Sequence, residues 1–232
     1  MLRLTIFLAL FACNCTKKTS PSVIDPITMT KDSTFTYLAL GDSYTIGESV
    51  KESERFPNQL ADSLRVDGIK IGTVKIIART GWTTDELQNA IATSGLTADS
   101  TFDMVSLLIG VNNQYRGRSV EEYKPSFTVL LERAIKFAGG KKERVVVVSI
   151  PDYAYTPFGG GRQSISMGID QFNAANEAIT RSMGVAYAQI TPISREGLND
   201  PSLVASDGLH PSGKQYGRWV GVMKPIARAF LK

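Results

Sequence analysis

Five apolar runs, each closed by Gly or Pro and each separated from the next by a longer polar and apolar mixture, constrain this chain more than any other feature. They are Phe35 to Leu40 before Gly41, Val74 to Ala78 before Gly81, Met104 to Ile109 before Gly110, Val145 to Ile150 before Pro151, and Val185 to Ile190 before Pro192. Their apolarity is continuous rather than alternating, which predicts strands covered on both faces. Between them the period changes. Val120, Tyr123, Phe127, Leu130, Leu131, Ala134 and Phe137 recur at three and four, the stripe of an amphipathic helix whose first turns Pro125 is expected to kink. Ile169, Phe172, Ala175, Ile179 and Met183 repeat that spacing, as do Tyr216, Val220, Met223, Ala227 and Phe230; residues 55–66 and 84–94 are weaker helix candidates. Strand and helix alternating five times predict an α/β domain with a parallel sheet between helices. Right-handed crossovers then bring the C-terminal end of every strand to one edge, where ligands bind.

The first residues are of a different kind. Arg3 precedes an apolar run from Leu4 to Ala12, far short of the roughly 20 residues that cross a membrane, and the pattern reads as a secretory leader. Leu10-Phe11-Ala12-Cys13 resembles the lipobox of bacterial lipoproteins. That resemblance implies a signal peptide at 1–12, acylation of Cys13, and attachment to a membrane of the cell envelope through that lipid only; an ordinary leader cut elsewhere is the alternative. Residues 13–33, rich in Thr, Ser, Lys and Pro, read as a tether, and 34–232 as one domain.

Charge and cysteine usage narrow the function. Lys and Arg number 26 against 22 Asp and Glu, a net +4 spread along the chain, so no nucleic-acid footprint is expected. His210 is the one histidine, and both cysteines, Cys13 and Cys15, lie in the leader region, so neither a metal site nor a cofactor is expected.

Four loops that follow strands carry chemistry. Gly41-Asp42-Ser43 places a hydroxyl where the first strand leaves the sheet, a position suited to a nucleophile. Asp207-Gly208-Leu209-His210 places a carboxylate three residues before an imidazole, so that Asp207 can accept the Nδ1 proton and leave Nε2 as a general base. Arg79-Thr80-Gly81-Trp82 and Gly110-Val111-Asn112-Asn113 supply a backbone N–H free of side-chain hindrance and a neutral amide, both suited to an oxyanion. The aromatic loop after the fourth strand, with Tyr153, Tyr155 and Phe158, is a candidate pocket wall, and Trp82 and Tyr115 are candidate substrate contacts beside it.

Taken together, these four blocks resemble the SGNH (GDSL-like) hydrolase superfamily over Thr36 to the C-terminus. The resemblance implies a three-layer α/β/α, flavodoxin-like fold with five parallel strands in the order 2-1-3-4-5. It implies Ser43 as nucleophile, His210 as base, Asp207 as its orienter, and Ser43 N–H, Gly81 N–H and Asn112 Nδ2 as the oxyanion hole. The chain departs from the family pattern at Asn113, where Asp is frequent, and at Tyr44, where the name-giving Leu stands. The expected activity is metal-independent hydrolysis of carboxylic esters through an acyl-enzyme, on small acyl esters such as acetylated carbohydrates. Lysophospholipid or thioester hydrolysis, O-acyl transfer, and a catalytically silent lipid-anchored binding domain are the rival readings.

Overall fold

The computed structural model describes Met1, residues 34–97 and residues 99–231. The expected leader, Cys13 and the tether lie outside the described residues, Met1 apart. No helix among those described is long and apolar enough to cross a membrane.

All five expected strands form: β1 (Phe35–Gly41), β2 (Ile71–Ala78), β3 (Met104–Leu108), β4 (Val145–Val148) and β5 (Ala186–Ala188). They make one parallel sheet in the order β2-β1-β3-β4-β5. The helices are α1 (Ser43–Ile46), α2 (Phe56–Val66), α3 (Thr84–Thr93), α4 (Val111–Tyr115), α5 (Val120–Phe137), α6 (Gln163–Ser182), α7 (Thr191–Ser194) and α8 (Gly213–Phe230). α2 packs on α8 over one face of the sheet, while α3, α5 and α6 pack in a row over the other. This is the three-layer arrangement the sequence implies.

Burial follows position in the sheet. Every residue of β3 and β4 is buried, and β1 is buried from Tyr37 onward, as continuous apolarity predicts. β2 departs from that expectation: only Ile71 and Ile77 are buried, and the strand begins at Ile71 rather than Val74. It is an edge strand with one neighbour, and Lys75 within it already points to partial solvation. The core joins Leu38 and Leu40 of β1 to Phe56, Leu60, Leu64 and Trp219 of the α2 and α8 layer and to Leu87, Tyr123 and Phe127 of the opposite layer. Inside the sheet Tyr37 Oη and Ser106 Oγ share a hydrogen bond of 2.8 Å, satisfying two buried hydroxyls at once. α5 runs without interruption through Pro125, its start fixed by Ser119, which accepts from Glu122 N–H while the Glu122 carboxylate accepts from Ser119 N–H.

Candidate active site

β1 ends at a glycine because nothing larger fits. A Cβ on Gly41 would lie 2.1 Å from Thr45 Oγ1 and 2.4 Å from the Leu108 carbonyl. The chain turns at once into α1, with Asp42 as its cap: Asp42 Oδ1 accepts from Tyr44 N–H at 3.0 Å. Ser43 is therefore the first residue of a helical turn at the C-terminal end of a central strand, buried except toward one cavity.

His210 arrives from the loop after β5. Asp207 Oδ1 accepts the N–H groups of Leu209 and His210, both at 2.9 Å, so the turn folds back and brings Asp207 Oδ2 to 2.6 Å from His210 Nδ1. Partial burial pushes the Asp207 carboxyl up, but its bonds from His210, Leu209 and Ser49 outweigh that effect and hold it at about 2. Asp207 is thus an anion throughout the neutral range. With Nδ1–H committed to it, the imidazole carries its lone pair on Nε2. The Tyr44 ring packs on the imidazole with centroids 5.2 Å apart. Among the hydrogen bonds of the described residues none joins Ser43 Oγ to His210, although both side chains line one cavity.

Two consecutive carbonyls of the loop after β2 are pinned. Arg116 Nη2 donates to Gly81 O at 2.6 Å, and Asn112 Nδ2 donates to Trp82 O at 3.0 Å. Gly81 has φ +87, which glycine holds freely. The Asn112 amide uses one of its two N–H bonds on Trp82, leaving the second available. Asn113, where the resemblance would favour Asp, is buried and binds Thr84 twice: Oδ1 accepts from Thr84 N–H at 3.1 Å and Nδ2 donates to Thr84 Oγ1 at 2.9 Å. The amide thereby locks α4 to the start of α3.

Ser43, Gly81, Asn112 and His210 meet in one cavity of about 230 Å³. Tyr115, Tyr153 and Phe158 form its aromatic wall, with ring centroids 6.1 to 6.3 Å apart. Two expected contacts are elsewhere. Trp82 meets Asn112 through its carbonyl while its side chain packs on the core, and Tyr155 faces away from the cavity, its ring 6.0 Å from the Arg195 guanidinium carbon. Tyr153 and Tyr155 sit two apart in a 3-10 turn, so they face different directions. Leu209 and Val111 also line the cavity, and sequence reasoning passed over both because each lies inside a motif chosen for its neighbours. Among the described residues no cluster of three or more His, Cys, Asp or Glu is placed to hold a metal.

Residues 39–218 match the model of the GDSL-like Lipase/Acylhydrolase family. The chain belongs to that family. By sequence no curated protein matches it. Solved structures share the fold of this GDSL-like hydrolase at low identity. The lipase Lip_vut3 from a goat rumen metagenome superposes with a TM-score of 0.71 at 16% identity, over 86% of this chain and 100% of that one. Phospholipase A1 from Streptomyces albidoflavus NA297 gives 0.63 at 18% identity, over 85% of this chain and 100% of that one. The acetylxylan esterase Axe2 from Geobacillus stearothermophilus gives 0.61 at 16%, over 85% and 94%. A GDSL-like acylhydrolase is a carboxylic ester hydrolase, and the cavity holds the residue types such chemistry needs.

Proposed function

We propose that this chain is a serine esterase that cleaves small acyl esters, acetylated carbohydrates among them, through an acyl-enzyme. One observation carries the reading: Ser43, Gly81, Asn112 and His210 border the same small cavity although they come from four separate loops, and Asp207 lies behind His210, bonded to its Nδ1. Ser43 Oγ attacks the ester carbonyl as His210 Nε2 takes its proton. The imidazolium that forms is stabilised by Asp207, and the oxyanion by Ser43 N–H, Gly81 N–H and the free Asn112 N–H. His210 then protonates the departing alkoxide, and the acyl group leaves by the same steps with water as nucleophile. Among the described residues no hydrogen bond engages the N–H of Ser43 or Gly81, so both donors are available.

The walls support the choice of a small acyl group. A cavity of about 230 Å³ faced by Tyr115, Tyr153 and Phe158 suits a short acyl group, with aromatic faces on which a sugar ring can stack. Axe2, an acetylxylan esterase of the same fold, supports this choice. The leader at 1–12 and acylation of Cys13 would place the enzyme at the bacterial cell envelope; that part of the proposal rests on the sequence pattern alone.

A panel of esters varying acyl length and alcohol, with Ser43→Ala as the blank, tests the reading. Turnover highest on acetyl esters and absent in the variant is expected. Failure of a fluorophosphonate to label Ser43 in the folded protein would overturn it in favour of a binding domain.

A further inference from the structure

Ser49 is the one non-glycine residue at positive φ among the described residues, at +64, in the turn between α1 and the 3-10 turn Glu52–Glu54. Glycine takes this conformation without strain; an L-residue rarely does. What serine adds there is a hydroxyl, and it donates to Asp207 Oδ2 at 2.7 Å. The same oxygen is paired with His210 Nδ1. The remaining bonds to Asp207 come from its own turn, so Ser49 alone among the described residues reaches it from a distant part of the chain.

The turn that carries Ser49 also touches the other parts of the site. Glu48 N–H donates to the Ser43 carbonyl at 3.0 Å, and the Glu48 carboxylate accepts from Thr80 Oγ1, next to Gly81. Residues 48 and 49 thus join the nucleophile's own peptide, the Gly81 loop and the Asp207 loop in three bonds. Backbone strain kept at such a junction is characteristic of functional sites.

We propose that Ser49 is a positioning residue for the ester hydrolysis described above: its hydroxyl braces Asp207 against the turn bonded to Ser43, fixing where His210 Nε2 sits relative to Ser43 Oγ. The proposal rests on the esterase reading. It assigns no contact between Ser49 and substrate.

Two variants of the full chain separate hydroxyl from backbone. Ser49→Gly removes the hydroxyl and relieves the strain, whereas Ser49→Ala removes the hydroxyl and keeps it. Both are expected to lose about ten-fold in kcat with KM little changed, the size of effect one hydrogen bond to a charged group has. His210 is the only histidine, so the downfield proton resonance of its Nδ1–H···Asp207 bond is unambiguous, and it is expected to shift in both variants. Wild-type kcat in Ser49→Gly would overturn the proposal, because the turn would then need only its backbone shape. A loss of kcat with an unmoved His210 resonance would overturn it too, since the effect would bypass Asp207. The resonance needs no substrate, so a protein inactive on every ester would refute the esterase reading while the Ser49 link is still read directly.

Discussion

Phe158 donates its backbone N–H to the Gly208 carbonyl at 2.9 Å, which fastens the aromatic wall of the cavity to the loop that holds Asp207 and His210. The wall and the His210 loop therefore share a mechanical link that does not involve the Phe158 ring. Phe158→Ala should keep the link and open the wall: kcat on acetyl esters stays near wild type while KM for esters of bulky alcohols rises several-fold. Gly159→Ala should do the reverse, because a Cβ there would lie 1.8 Å from the Tyr153 carbonyl and force the loop to move. It is expected to depress kcat on every ester. Steady-state kinetics of both variants on the same ester panel check the contrast.

Asn112 donates one N–H to Trp82 O, and in the proposed mechanism the other to the oxyanion; substitution by Ala or by Asp removes both donors. Asn112→Ala removes the proposed oxyanion donor and the bond to Trp82 O, and should cost on the order of 100- to 1000-fold in kcat. Asn112→Asp restores an atom of the right size at the right place but supplies an acceptor where an oxyanion needs a donor. It should be at least as inactive as the alanine variant near neutral pH. Near-normal turnover of either would remove Asn112 from the oxyanion hole.

Arg116 tests whether the Gly81 loop must be held. Its guanidinium bonds the Gly81 carbonyl through Nη2 at 2.6 Å and Glu86 Oε1 through Nη1 at 3.3 Å, a two-pronged contact that a lysine ammonium does not reproduce. Arg116→Lys is expected to lower kcat about three- to ten-fold with little change in KM, since the bond is partly exposed to solvent. An unchanged kcat would mean that the strand end and φ +87 at Gly81 suffice.

These residues differ in how legible they are. The strands and the site's four loops are readable in the sequence because strand runs and Gly, Ser, Asn and His blocks are local patterns, and parallel topology then gathers the strand ends. The order of the strands comes from the family resemblance, since the alternating pattern permits it without fixing it. β2 misled at its start because an edge strand mixes exposed and buried positions. Tyr155 and Trp82 misled because adjacency to a site residue says nothing of side-chain direction. Ser49 carries no signal at all: its partner lies 158 positions away, and an isolated serine in a turn is ordinary. Only the backbone angle and the bond to Asp207 single it out.

Asp42 beside Ser43 yields a prediction with a definite sign. It is fully buried, Oδ1 accepts from Tyr44 N–H, and Oδ2 has no partner among the described residues. Burial pushes its carboxyl up to about 8 against the opposing pull of the Tyr44 bond, from an ordinary value of 3.8. Between these values the folded chain keeps a proton that the unfolded chain releases, so this group makes stability fall as pH rises through the window. Asp42→Asn preserves the acceptor and removes the titration. Urea midpoints measured at about pH 5 and about pH 8 should show the Asn variant gaining on wild type as pH rises. Its turnover should stay close to wild type near neutral pH, where the native carboxyl is already mostly uncharged. A gap between the two proteins that does not change with pH would mean that Asp42 is ionised in the folded state, with a counter-charge or solvent supplied to Oδ2.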